Sequence, residues 1–533
     1  VVNCSGCTAP TFRNRPTSVL GDIVNSAPVY LGSATSDFRD TIEVSRYSTY
    51  AATRASQPPI IFVGANDGML HGFNASTGSE VFAYVPYAVK DKLSALTSPS
   101  YAHQYTVDGS PSVGDVSING TWRTMLVSGM NAGAKGLFAL DVTDASKFKE
   151  STAAQVVRWE LDGSDADMGY VFSRPILAKT RDGKWRALVG NGYNSTNGRA
   201  VLMLVDLQSG AITKVDTGVG SAGTPNGLSG VAAVSSTNNG VVDIVYAGDL
   251  QGNLWKFDLS SSSPSAWAVA YTAASVPAPL LKAASGQPFT ARPDVTVHAK
   301  GGYMVTLGTG RYLDVGDNAT TGTQALYGVW DKGSPVALAD LQTQSVVSTT
   351  SGANGNTYRL TTHAVGVPPD TAIAGDNVIT VANYYSSKRG WKMNLPLSGE
   401  RVVAETTVRA GRVIFSTLIP STAACSSGGD GWIFDIDVMT GNRSPALDTN
   451  GDNEITDADR LNGDGNGTGT MASAVRVGAI PAAPSIMRAA GSGNGGPSVK
   501  DDKLVNTSAG SIVRVRESGN QKPSRRAAWE QIQ

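Results

Sequence analysis

The sequence predicts an all-β protein of β-propeller type, and three observations carry that prediction. The first is a hairpin phrase. Residues 246–259, YAGDLQGNLWKFDL, continue an apolar run from Ile244 and Val245, break into the turn Gly248-Asp249-Leu250-Gln251-Gly252, and resume as a second strand. There Leu254, Lys256 and Asp258 fall on one face and Trp255, Phe257 and Leu259 on the other, the alternation of a β-hairpin. The second is its recurrence: residues 62–74, FVGANDGMLHGFN, nearly repeat it, and looser copies run over 126–141, 188–206, 305–331 and 413–437. The third is a proline-marked strand ahead of most copies, at Pro28, Pro111, Pro175 and Pro293. Together they make about six units, spaced irregularly because of insertions, which is the mark of a repeat architecture. Sheets of about four strands set round an axis avoid long exposed edges, which favours a propeller over unrelated hairpins in a sandwich.

Composition agrees. A chain of 533 residues, 41% of them hydrophobic, can bury a large core, and one propeller takes up nearly all of it. The 60 Gly and 25 Pro fit many turns rather than disorder, since apolar strands recur between them. A net charge of -1 with both signs mixed leaves no electrostatic footprint for nucleic acid. No apolar run approaches the roughly eighteen residues of a membrane span. Lacking an initiator Met and a signal peptide, the chain reads as a processed protein or a fragment of a longer one. Cys4 and Cys7 have a spacing open to a local disulfide, a bond to an upstream segment, metal or redox chemistry; with only four His and no second such pair, zinc is disfavoured. Cys425 is then left odd, a free thiol.

In chain order, residues 1–25 form an entry segment and 26–533 the propeller. A first strand is expected over 25–31, a polar excursion over 32–59, the first hairpin over 60–80, and a short helix over 85–93 after Pro86. The second unit starts at Tyr105 and the third at Gly169, with a hairpin about Asp182-Gly183. The fourth holds the phrase at 246–259, a serine-rich linker covers 260–265, and the fifth runs over 288–332. Residues 333–376, rich in Thr, Ser, Gly and Asn, read as a surface insertion or an irregular blade. The sixth unit covers 391–441. In the tail, 473–533, strands at 474–480 and 511–516 are candidates to pair with N-terminal strands and close the ring.

The most specific chemical signal is residues 448–459, DTNGDNEITDAD, which resemble the twelve-residue calcium loop of EF-hand type. Ca2+ takes hard oxygen ligands. This spacing offers Asp448, Asn450 and Asp452 by side chain, Glu454 by its carbonyl, Thr456 directly or through water, and Asp459 to close the site. Ile455 stands where an apolar residue would anchor the loop. Asn453 replaces the usual Gly, which Asn can do because it tolerates a left-handed backbone. Asp459 replaces the usual Glu, as in dockerin-type loops. Residues 462–467, NGDGNG, read as flexible, and 491–497 as a glycine-rich loop too irregular to bind phosphate.

Several long phrases also occur in a recognisable order: 13–28 (RNRPTSVLGDIVNSAP), 62–73, 246–259, and 415–420 (FSTLIP) with Cys425 and 428–441. They resemble the C-terminal domain of the PilY/PilC family of type IV pilus proteins over nearly the whole chain. The resemblance implies a modified seven-bladed β-propeller, so one blade lies outside the six units, in the region after Gly333 or in the terminal strands. It also implies a pilus biogenesis factor and tip adhesin at the bacterial cell surface, pilus tip or outer membrane, exported through the periplasm. Such a protein promotes pilus assembly, opposes retraction and aids adhesion under calcium control. Implied partners are pilus-tip or minor pilin subunits, a host or abiotic surface, and an N-terminal domain of the same protein, often von Willebrand factor A-like. The family's regulatory calcium loop lies just before the YAGDLQGNLW phrase, where this chain has Ser235, Thr237, Asn239, the Val241 carbonyl and Asp243. With one carboxylate left, that loop is expected to be weak or empty, and calcium dependence to have moved to 448–459. The rival readings are a quinoprotein dehydrogenase, which lacks here its adjacent Cys-Cys pair and regular tryptophan ladder, and a noncatalytic periplasmic scaffold.

Overall fold

A computed structural model describes residues 12–15, 18–421, 423, 428–461, 469–488 and 500–519. The three cysteines, the 462–467 stretch and the 491–497 loop lie outside the described residues. The described chain is mostly strand, with a few short helices. It divides into two compact units, one holding 12–247 and 257–270, the other 248–256 and 271–519.

In the first unit, Val29–Leu31, Ile60–Gly64, Leu70–Asn74 and Glu80–Tyr84 pair in chain order as a four-stranded antiparallel meander. Ser112–Ile118, Thr121–Gly129, Leu137–Asp141 and Val157–Leu161 repeat that plan. The first strand is shorter than 25–31 because its leading amides bond side chains instead of a ladder: Asn25 N–H donates to Asp108 at 3.1 Å and Ala27 N–H to Ser110 at 2.9 Å. After Pro86 the chain forms 3-10 turns over Tyr87–Thr97, where the sequence suggested a helix over 85–93. The excursion 32–59 contains the helix Tyr47–Arg54, whose Tyr47 ring packs with Phe38 and Trp122. The third sheet joins Ile176–Thr180, Trp185–Gly190, Arg199–Asp206 and Ile212–Gly220, and Val241–Val242 adds a parallel edge beside Ile176–Thr180. The core of this unit is built from the inward residues of these strands, among them Phe62, Leu126, Met125, Val189 and Met203.

Leu228–Val234, Ile244–Asp249, Asn253–Asp258 and Ala268–Val269 follow one another in the next sheet. In the second unit, Asp294–Val297, Tyr303–Gly308, Ala325–Asp331 and Gly390–Asn394 pair antiparallel, and Gln342–Gln344 lies parallel to the last. The start of the expected sixth unit, Trp391, therefore belongs to this sheet. The fit is specific: Trp391 stands opposite Gly328, where a Cβ would meet its indole nitrogen at 2.3 Å, so glycine leaves room for the ring. The fully buried indole then donates to Val438 O at 3.0 Å.

The six-stranded sheet has the order Val346–Ser351, Thr357–Thr361, Ala474–Arg476, Gly429–Asp437, Arg412–Pro420, Thr407–Arg409. Residues 333–376 thus supply strands to two sheets. Ser485–Arg488, Lys500–Asn506 and Ile512–Ser518 form a further antiparallel sheet. The two tail strands expected to pair with N-terminal strands pair elsewhere. Ala474–Arg476 sits between Thr357–Thr361 and Gly429–Asp437, and Ile512–Ser518 beside Lys500–Asn506. Val475 and Ala474 are buried in that position, which a strand at an open edge would not achieve.

Candidate functional site

The 448–459 loop begins where a short pairing ends. Leu447 bridges Glu517 and Asp448 N–H donates to Arg516 O at 3.3 Å, so the loop springs from the Ile512–Ser518 edge. From there the acidic and amide side chains turn the chain back on itself. Asp448 accepts the N–H of Gly451 at 2.6 Å and of Asn453 at 3.0 Å. Asn450 accepts the Asp452 N–H at 2.8 Å, and Asp452 the Glu454 N–H at 2.7 Å. Gly451 and Asn453 take the left-handed backbone, with φ of 84° and 66°. The substitution of Asn for Gly at 453 therefore keeps the turn.

Thr456 caps the single turn Asp457–Asp459 by accepting from Ala458 N–H. Asp459 is completely buried; its two oxygens accept the N–H of Thr449 and of Thr456, both at 2.8 Å. Burial pushes its carboxyl above the usual range, and the nearby Asp448 charge adds to the rise against the backbone bonds. Two mutually repelling carboxylates, one of them buried, form an environment that a divalent cation relieves. Each Asp459 oxygen keeps a second lone pair beyond its backbone bond. Among the described residues no three His, Cys, Asp or Glu side chains converge on one point, so a hard cation at this loop would have to draw also on amide, hydroxyl and carbonyl oxygens. Asn450, Thr456 and the Glu454 carbonyl are oxygens of that kind, while Asp448, Asn450 and Asp452 accept amides of the turn itself in this structure. Ile455 is half-buried.

Two supports were not legible in the sequence because they come from far along the chain. The Asp448 carbonyl accepts from Tyr358 Oη at 3.1 Å and Asn354 Nδ2 at 3.4 Å. The Glu454 carboxylate pairs with Lys500, the first residue of Lys500–Asn506.

The second candidate loop, 235–243, is closed on itself. Ser236 donates both its N–H (2.9 Å) and its hydroxyl (2.6 Å) to Asp243, the one carboxylate there, which is buried. Asn239 accepts the Ser235 hydroxyl at 3.1 Å and the Val241 N–H at 2.9 Å. Val241 pairs with Lys179 in the sheet edge, and Thr237 is exposed. The Asp243 carboxylate and the Asn239 amide oxygen thus accept hydrogen bonds from within the loop.

Residues 20–362 match the family model of the PilY1 beta-propeller domain. The chain belongs to this family of β-propeller domains. Among its relatives are a type IV pilus biogenesis factor PilY1 homolog of Xylella fastidiosa, 38% identical over 463 residues, and the type IV pilus biogenesis factor PilY1 of Pseudomonas aeruginosa strain PAO1, 36% identical over 471. Each match covers 81% of this chain but only 30% and 39% of those proteins. The crystal structure of the Pseudomonas aeruginosa PilY1 C-terminal domain superposes with a TM-score of 0.72 at 29% identity, over 93% of this chain and all of that one. These relatives carry the name of a biogenesis factor, not of an enzyme. Among the described residues no helix is long and apolar enough to cross a membrane.

Proposed function

We propose that this chain is the propeller part of a type IV pilus biogenesis factor of the bacterial cell envelope, acting at the cell surface or pilus tip. There it promotes pilus assembly and extension and takes part in surface attachment. The observation that carries this reading is the superposition on the whole PilY1 C-terminal domain, supported by relatives named for pilus biogenesis. Its partners in this reading are pilus-tip or minor pilin subunits, a host or abiotic surface, and the rest of the longer protein. The loop at 448–459 holds Ca2+ through Asp448, Asn450, Asp452, Glu454, Thr456 and Asp459. Bound there, the ion supplies charge neutralisation and cross-links the turn. The 235–243 loop, with Asn239, Val241 and Asp243, stays weak.

The test of the biogenesis role is the amount of sheared surface pili from the producing bacterium with the gene deleted, then restored at full length. Loss and recovery of pili are expected; unchanged pili in the deletion overturn the reading. Calcium titration of the purified chain tests the loop. Wild type takes up Ca2+, and the Asp448→Ala, Asp452→Ala double variant does not; undiminished uptake by the variant removes the assignment.

A further inference from the structure

The first unit contains a cavity of about 310 Å³ built from three turns and the 32–59 excursion. Asn119 stands in the turn between Ser112–Ile118 and Thr121–Gly129; Lys184 and Trp185 follow the Asp182-Gly183 turn; Asp206 and Gln208 lie in the turn after Arg199–Asp206; and Glu43 comes from the excursion. These parts are tied together without any ligand. Ser45 Oγ donates to Gly120 O at 2.5 Å, Trp122 Nε1 to Ser45 O at 2.7 Å, and Trp185 Nε1 to Glu43 Oε1 at 2.8 Å. A cavity fixed in this way spares a ligand much of the ordering cost.

Its chemistry is balanced. Glu43 pairs with Lys179, which stands behind the lining, at 2.7 Å, and Lys184 pairs with Asp206 at 2.9 Å, so each charge on the lining already has a counter-charge. Unused hydrogen-bonding capacity of both signs lines the open side of the cavity, where Asn119, Lys184 and Gln208 are exposed. Both bonds to Glu43 fall on Oε1, leaving Oε2 as an acceptor. Lys184 has two N–H left beyond its bond to Asp206. The side-chain amides of Asn119 and Gln208, each a donor and an acceptor, bond no other side chain or backbone group among the described residues. A hydroxyl both donates and accepts through one small group, so an uncharged ligand carrying several of them can use these partners in either sense. Trp185 gives the wall an apolar part suited to C–H groups, and the volume is at the small end of the roughly 300–1,000 Å³ typical of ligand sites. We propose that this cavity binds a neutral saccharide, one or two rings in size. The proposal goes beyond the pilus reading and needs neither calcium nor pilus assembly.

The test uses the whole 533-residue chain. Saturation-transfer NMR with methyl glycosides of glucose, galactose, mannose and N-acetylglucosamine at about 10 mM is one arm, and an array of immobilised oligosaccharides the other. The variant is Asn119→Gly with Gln208→Ala. Asn119 has a φ of 53°, which glycine adopts freely, and both side chains lack partners among the described residues, so the unfolding temperature stays unchanged. Transfer to at least one glycoside in wild type, weakened about tenfold or more in the variant, supports a free-sugar site. Variant-sensitive binding on the array alone assigns the site to the end of a longer glycan. Silence in both arms, binding that survives the double substitution, or a preference for inorganic phosphate or free amino acids overturns the proposal.

Discussion

Asp249 shapes the phrase that the rest of the chain repeats. Completely buried, it accepts the Gln251 and Asn253 N–H at 2.9 Å on one oxygen, and Asn253 Nδ2 and Trp255 Nε1 at 2.8 Å on the other. In the copy at 62–74 the ring that aligns with Trp255 is His71, and it too reaches a turn carboxylate, Asp67, at 3.1 Å. The two carboxylates occupy different positions in the phrase, so what recurs is a ring nitrogen bonded to a turn acid. Asp249→Asn leaves one acceptor oxygen for these donors and sets an NH2 against some of them. A loss of about 2–4 kcal/mol is expected in denaturant unfolding, and an unchanged midpoint would show that the turn holds without the carboxylate. His71 lends itself to a pH test. Burial depresses its pKa, but bonds to Asp67 and Glu80 outweigh burial and raise it above the ordinary value. Its contribution to stability is therefore complete below about pH 6.5 and is lost as pH rises through the higher folded value. NMR titration should place the His71 imidazole above free histidine. His71→Gln should destabilise the fold by about 1–3 kcal/mol at acidic pH and by less at alkaline pH; equal losses at both ends contradict the pairing.

Among the elements, the strand Lys500–Asn506, KDDKLVN, was the least legible in advance. Asp501, Lys503 and Val505 alternate inward, which is strand periodicity, but two of the three are charged, so the sequence shows no apolar face to mark it. What lets them be buried lies elsewhere. Arg409 meets Asp501 at 2.7 Å, and Lys503 meets Asp435 at 2.5 Å and pairs also with Glu517, which Arg412 approaches at 3.1 Å. Burial opposes ionisation of both carboxyls; the neighbouring cations overcome it at Asp435, which is held low, whereas Glu517 is pushed up. Removing one member leaves buried charge unmatched, so Lys503→Met is expected to cost about 3–5 kcal/mol and to speed amide exchange over 500–518. Exchange unchanged in that segment would mean the sheet is held by its apolar contacts. Turn-centred features, by contrast, were readable. The Asp182-Gly183 hairpin and the 60–80 hairpin follow from residues that set their own backbone, as does the Asp448 turn. The missing information was long-range: which sheet takes Trp391 depends on Gly328, and what pairs with Glu454 depends on Lys500.

At the scale of the whole molecule, the two units offer an internal control for the calcium proposal. An ion that binds the folded loop alone adds RT ln(1 + [Ca2+]/Kd), about 2.7 kcal/mol at a hundredfold excess over Kd. Every tie described for the loop runs within the second unit: Tyr358 and Asn354 to the Asp448 carbonyl, Leu447 to Glu517, and Glu454 to Lys500. The gain on adding Ca2+ should therefore appear in that unit and leave the first unit's own openings as they were. Hydrogen exchange with mass-spectrometric readout, run in Ca2+ and in chelator, resolves this. Slowed exchange is expected over 447–461, around Tyr358 and over 500–518, with the sheets of residues 29–84 and 112–161 unchanged. The Asp448→Ala, Asp452→Ala variant should match the chelator pattern in either buffer. Protection that survives this variant places the ion elsewhere, and protection spread evenly over both units points to a global effect of ionic conditions instead of a bound cation, because a local site transmits its free energy only through the contacts it makes.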